Sequence, residues 1–192
     1  MRHLNNVTVN LKEGYAIIEA GALVHEVIEA AYGEKAHVGT CIMICLEISD
    51  VTNWRSVVGN CNSVGACGAM LGGGFSRLQA SFSMSIDNII SLRLVTEKGD
   101  LITVSATENS DLLWGLKGAG HNFGIVTAAV VNAFPQINDG MHWECTMIFL
   151  PDHIEVVTQT INDLELGDGM SIHYAFTGLP PIGFVCYPYP AP

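Results

Sequence analysis

Residues 65 to 78 read GACGAMLGGGFSRL, and five of the first ten are glycine. Glycine gives up side-chain contacts and loses more backbone entropy on folding than any other residue. So many together mark a place where something lies against bare backbone. Either another part of the fold packs there at a tight turn, or a ligand does.

Three common glycine motifs fail here. Gly118-Ala119-Gly120-His121-Asn122-Phe123-Gly124 spaces its last glycine one residue too far for a dinucleotide fingerprint. It also follows a helical segment and precedes a strand, the reverse of the order such a fingerprint needs. Residues 72 to 78 lack the Lys-Ser/Thr end of a P-loop. Gly74-Phe75-Ser76-Arg77-Leu78 ends in leucine where a nucleophile elbow requires glycine.

Charge and composition narrow the partners. Eight basic against 19 acidic residues give a formal charge of −11, which repels phosphate backbones and anionic membranes and argues against nucleic acid as a partner. An anionic ligand would have to be met by backbone N–H groups. With 49% hydrophobic and 14% charged residues over 192 positions, the chain is globular in type, and at this size it could bury roughly 70% of its surface. The start, MRHLNNVTVN, has no apolar core of signal-peptide length, and no stretch approaches the ~18 uninterrupted apolar residues of a membrane span. The cytoplasm is the default location on this reading. The six cysteines match neither a C-x2-C zinc pattern nor a dense disulfide framework, so no metal site is expected. Asn6-Val7-Thr8 is a glycosylation triplet, which reads as chance without a secretory signal.

Hydrophobic periodicity predicts an α+β chain. VTVNL (7–11) and YAIIEA (15–20) form a hairpin, followed by a helix over 23–33 that stops at Gly33. Residues 88–97 and 101–105 form a second hairpin around Lys98-Gly99-Asp100. Asn109 or Ser110 caps a helix over 111–117 that starts at Asp111, and 125–134 is a strand. Trp114 reads as core, His121 as an exposed loop histidine, and Asp87-Asn88 as turn support. From about Gln136 the character changes to a strand within 141–151, a helix over 152–164 with Ile154, Val157, Ile161 and Leu164 on one face, and a strand over 169–176. His142, His153 and His173 read as surface or structural residues.

The order of four segments carries a resemblance. AGALVHEVIEAAYG, GNCNSVGACGAMLGGGFSRL, SIDNIISLRLVTEKGDLITVS and NSDLLWGLKGAGHNFGIVT together resemble the FAD-linked oxidases of the berberine-bridge-enzyme-like family. The resemblance covers residues 7 to 134, and 136 to 185 resembles the start of the same family's substrate domain. It implies the second subdomain of a PCMH-type (vanillyl-alcohol-oxidase) FAD-binding domain, with a mixed or antiparallel sheet and flanking helices, over residues 1–135. The opening of an α+β substrate domain would occupy 136–192. It also implies a function: oxidation of a sugar, alcohol or secondary metabolite by hydride transfer to FAD, with reoxidation by oxygen. The alternative is a non-catalytic remnant that holds FAD weakly or not at all.

Carried over residue by residue, the resemblance places Val64, Gly65, Gly68, Gly72, Gly73 and Gly74 along the FAD, and Gly124, Ile125 and Val126 along the far side of the flavin. Cys61 matches the cysteine that forms a thioether to the flavin ring in bicovalent members; an unlinked buried cysteine is the other reading. Ala69 and Ser76 stand where some members carry histidine and many carry glycine. Against the family pattern the chain begins after the first flavin subdomain, which makes that subdomain an implied partner beside the small-molecule substrate. The pattern leaves no residue here to assign as the catalytic base. Residues 41 to 60 interrupt it: without them HVGT joins CNSVGACG directly, as a translated intron or a genuine loop would produce.

Overall fold

Alternating apolar residues build most of what the computed structural model contains. It describes residues 1–38, 62–75, 79–136, 145–165, 167, 171–175 and 182–187. The insertion expected at 41–60, together with Cys61, Ser76 and His142, lies outside the described residues. The chain divides into two compact units, Met1–Gly140 and Met141–Pro192.

In the first unit, strands β1 (Val7–Asn10) and β2 (Tyr15–Glu19) form the expected hairpin, with Gly14 at φ +75° in its turn. Helix α1 (Val24–Gly33) follows, then a three-residue strand β3 (Ala36–Val38). The glycine-rich stretch forms helix α2 (Ala66–Leu71), and a one-turn helix α3 (Gln79–Phe82) precedes strands β4 (Ile89–Val95) and β5 (Leu101–Ser105). Helix α4 (Ser110–Ala119) leads through a short 3-10 turn to the long strand β6 (Ile125–Pro135). The sheet order is β1-β2-β6-β4-β5, with β3 pairing the far end of β6. Every pairing is antiparallel.

Side-chain alternation gives the sheet its covered face. On β4, Leu92 and Leu94 point into the core while Arg93 is exposed, and on β5 Val104 is buried between exposed Thr103 and half-buried Ser105. These residues pack with Ile18, Val131, Val27, Met70 and Leu116 in one cluster. A fully buried leucine in such a cluster contributes about 1.5–3 kcal/mol.

Helix α1 buries Val24, Val27 and Ala31. Its N-cap is Leu23, which has no polar side chain. The orphan Leu23 N–H donates instead to the Glu26 carboxylate at 2.7 Å, as the reciprocal half of a capping box does. That bond, then one from the Asn5 carboxamide, holds the Glu26 carboxyl below its ordinary range. The helix ends at Gly33, as expected, but Gly33 is not itself left-handed; the left-handed residue is Lys35, at φ +51°. Its carbonyl accepts from Gln136 N–H at 3.0 Å, so pairing with the end of β6 decides where the chain reverses.

Two further expectations change. Trp114 is not core: it is 83% exposed. At 100° per residue it stands about 200° round the helix from both Leu112 and Leu116, which pack inward. Asn109 occupies the N-cap position of α4 but makes no side-chain cap, its carboxamide donating to Thr103 O at 2.7 Å. Gly99, at φ +86°, supplies the expected turn between β4 and β5.

In the second unit, β7 (Cys145–Phe149), α5 (Ile154–Asp163), β8 (Ser171–Ala175) and β9 (Ile182–Tyr187) form an antiparallel sheet of order β7-β9-β8 with one helix. Ile154, Val157 and Ile161 share the half-buried side of α5. Leu164 does not join them: it ends the helix in extended backbone and is exposed. The central strand β9 was not expected. Prolines on both sides of IGFVCY hide a six-residue apolar run they bound without interrupting.

Candidate functional site

Asking what a side chain would meet at each glycine sorts those the fold requires from those it does not. Gly124 lies at φ +144°, and a Cβ there would stand 2.5 Å from Val95 O. Gly120 would press on Leu71, and Gly115 on the Phe123 ring. Gly73 and Gly74 take φ of +120° and +70°. Packing or backbone conformation therefore accounts for all five.

Gly65 and Gly68 are different. Neither has a positive φ, and no described residue lies within 4 Å of a Cβ built on either; Gly72 would make only ordinary contact with its own helix. With helical spacing, 65, 68 and 72 fall on one side of α2, while Ala66, Cys67 and Met70 are buried on the other. Glycine inside a helix is about 1 kcal/mol worse than alanine. The fold gives no return for that cost at Gly68, so α2 presents an open strip of bare backbone.

The strip is held at both ends. Ahead of α2, Ala66 N–H donates to Ala22 O and Val24 N–H to Val64 O, both at 2.9 Å, fixing half-buried Val64 and Gly65 beside the start of α1. Behind it, Gly73 O and Gly74 O accept from Ile86 N–H at 3.0 Å and Ser85 N–H at 2.9 Å. The 84–88 turn that supplies those donors is braced by buried Asn88, whose carboxamide donates to Phe82 O (2.7 Å) and Met84 O (3.0 Å). Asp87 accepts from Met84 N–H in the same turn. Asp87-Asn88 thus supports a turn, as expected.

The second segment adjoins the first. Leu71 of α2 fills the space over Gly120, and β6 starts five residues beyond Gly120. Ile125 is 56% exposed, whereas Val126 is buried in the core and Gly124 is packed beneath β4. Of the residues singled out in sequence, then, Gly65, Gly68, Gly72 and Ile125 keep an open side, and Gly73, Gly74, Gly124 and Val126 are committed to the frame. His121 is exposed beside Asn122, and His153 is exposed on a surface turn. Sequence reading did not find the Leu71–Gly120 contact or the clamp on Gly73 and Gly74.

Cys67 sits on the buried side of α2, its thiol 3.8 Å from Ile18 O, and burial pushes its pKa from 9.0 to about 12. Thiolate is the reactive form, so Cys67 should resist a thiol reagent in the native chain and react on unfolding, as mass spectrometry of its peptide would read. Because the folded pKa is the higher one, the proton-linked stabilisation is complete below pH 9.0 and is lost as pH rises through about 12. A Cys67→Ala chain should lack that loss.

No protein-family model matches the sequence. The FAD-linked oxidoreductase afoF of Emericella nidulans is 37% identical over 140 residues, 73% of this chain and 26% of its own. Among solved structures, BBE-like 1 of Physcomitrella patens superposes with a TM-score of 0.77 at 20% identity, covering 97% of this chain and 37% of that one. The xylooligosaccharide oxidase from Myceliophthora thermophila gives 0.75 at 25% identity, covering 100% of this chain and 38% of that one.

The chain is similar in sequence to FAD-linked oxidoreductases and in fold to the berberine-bridge-enzyme-like family of FAD-linked oxidases. Its mixed α+β architecture, an antiparallel sheet with flanking helices, is the fold of this family's FAD-binding domain. The chain spans about a quarter of the length of the curated relative above. Among the described residues, no helix is long and apolar enough to cross a membrane, and no group of three or more His, Cys, Asp or Glu could hold a metal ion.

Proposed function

We propose that this chain supplies the flavin-facing part of an FAD-dependent oxidoreductase that oxidises a small organic substrate, a sugar, alcohol or secondary metabolite. Residues 1–135 belong to the FAD-binding domain on this reading, and 136–192 open the substrate-binding domain. The supporting observation is the open strip on α2: Gly65, Gly68 and Gly72 lack side chains where the fold leaves room for them. A flat ring system or a diphosphate lying on that strip would explain the glycines. Peptide N–H donors suit such a ligand in a chain of charge −11, because they attract an anion without basic side chains.

FAD, when bound, accepts hydride from a substrate C–H bond and is reoxidised by oxygen. The protein's share is to bind and orient. Gly65, Gly68 and Gly72 would carry the cofactor, Ile125 would shield it from water, and Gly73, Gly74, Gly124 and Val126 would hold those surfaces in register. Cys61 is the candidate for a thioether. The first subdomain of the FAD-binding domain is the part this reading calls for alongside the residues described.

Gly68 separates binding from folding. Gly68→Leu should leave the thermal midpoint unchanged or higher, because the helix gains propensity by about 1 kcal/mol and nothing clashes. FAD retained on the purified chain, read by flavin absorbance, should fall at least about tenfold, the equivalent of 1.4 kcal/mol. Equal retention in the variant would overturn the site, and a colourless parent protein would favour the remnant. Yellow colour that survives acid precipitation of the parent, and is lost in Cys61→Ala, would establish the covalent link.

A further inference from the structure

Asn6-Val7-Thr8 is the chain's one Asn-x-Ser/Thr triplet with a residue other than proline in the middle, the acceptor pattern for an N-linked glycan. The flavin reading makes no use of it. Asn6 stands at the start of β1, the outermost strand of the sheet on its side. Its main chain is fixed: the N–H donates to a Glu19 carboxylate oxygen at 2.9 Å, and the carbonyl accepts from Glu19 N–H at 3.0 Å. Its side chain is not enclosed. Alternation along the strand sends Val7 and Val9 toward the core, where they pack against the buried cluster, and leaves Asn6 and Thr8 exposed. The Asn6 carboxamide nitrogen donates to Thr8 Oγ1 at 3.2 Å, so the two recognition groups of the triplet lie together on the solvent side.

We propose that Asn6 is an N-glycosylation site, in place of the chance triplet that sequence alone suggests. The donor is an oligosaccharide linked to a polyprenyl diphosphate, and the catalyst an oligosaccharyl transferase. The Asn6 amide nitrogen bonds to the anomeric carbon of the first sugar. The bond from that carbon to the diphosphate oxygen breaks, its electron pair leaves with the polyprenyl diphosphate, and one amide proton passes to the transferase; nothing is oxidised or reduced. The folded chain accepts the product because the glycan grows away from the core. It would also shield the outer side of β1, which pairs with no other strand among the described residues and so invites edge-to-edge association.

The test is translation of the full chain behind a cleavable secretion leader in the presence of microsomes, where leader cleavage certifies entry into the lumen. The leader-cleaved chain should gain the mass of one core oligosaccharide. A peptide N-glycosidase should release it without denaturant, converting Asn6 to aspartate. Asn6→Gln and Thr8→Ala should abolish the gain, and Thr8→Ser should keep it. Leader-cleaved, protease-protected chain with an unmodified Asn6 peptide would overturn the proposal, as would a glycan that persists in Asn6→Gln.

Discussion

Gly124→Ala is expected to destabilise the first unit by about 3 kcal/mol or more, even though it adds a single methyl group. Two effects act together. A non-glycine residue forced to a φ of +144° carries strain of order 1–3 kcal/mol. The methyl would also stand 2.5 Å from Val95 O and 3.2 Å from the Leu94 side chain, and overpacking of that kind costs about 1–3 kcal/mol more. Neither neighbour can retreat cheaply. Val95 is paired on one side with Ile125 and on the other with Leu101, so its carbonyl belongs to a backbone held from both sides, and Leu94 is fully buried. Since whole domains are stable by only about 5–15 kcal/mol, the urea midpoint followed by circular dichroism should fall far below that of the parent. The same substitution at Gly68 should move the midpoint up or not at all. A Gly124→Ala midpoint equal to the parent's would contradict the register that seats Ile125 beside Val95.

The contrast between Gly68 and Gly124 shows what sequence could and could not reveal. Both lie in dense glycine clusters, and nothing in the one-dimensional pattern says which serves packing and which leaves a surface open. That depends on β4, far along the chain, lying against Gly124 and on no described residue lying over Gly68. The long elements were legible because their burial pattern is periodic: the β1–β2 hairpin, the β4–β5 hairpin with its Gly99 turn, and β6. Helix α2 was not, since its glycines lower helix propensity and mask the Ala66, Cys67, Met70 spacing of its buried side. Three-residue β3 is too short to show any period, and it exists because β6 extends far enough to pair with it. Trp114 was readable from helical geometry, but its bulk and hydrophobicity suggest core where its angular position says surface. Motif order carried the family resemblance even though single motifs, taken alone, matched nothing.

Asn88→Ala is the second large effect expected, at about 2–4 kcal/mol, and it should reach the glycine strip. Asn88 is buried, and its carboxamide satisfies the carbonyls of Phe82 and Met84 while accepting a long bond from Asn132 at 3.4 Å. Removing it leaves those groups unpaired, and each unmet buried partner costs about 1–3 kcal/mol. The turn would still be tied to β6 by the Phe82 ring, stacked on Phe134 at 4.4 Å, so loosening is expected to be local before it is global. The amides of Ser85 and Ile86, which hold Gly74 and Gly73, belong to the loosened turn, and retained FAD should fall with stability. Asn88→Asp tests the cause by its pH dependence. A carboxylate placed against two carbonyl oxygens would have its folded pKa raised, so the stability it contributes is present at low pH, where the protonated acid can donate to one of them, and is lost as pH rises through that pKa. The Asp variant should therefore unfold at higher urea near pH 4 than near pH 7, after correction for the parent's own trend. A pH-independent difference between Asp variant and parent would mean that the 84–88 turn is held by something other than the Asn88 carboxamide.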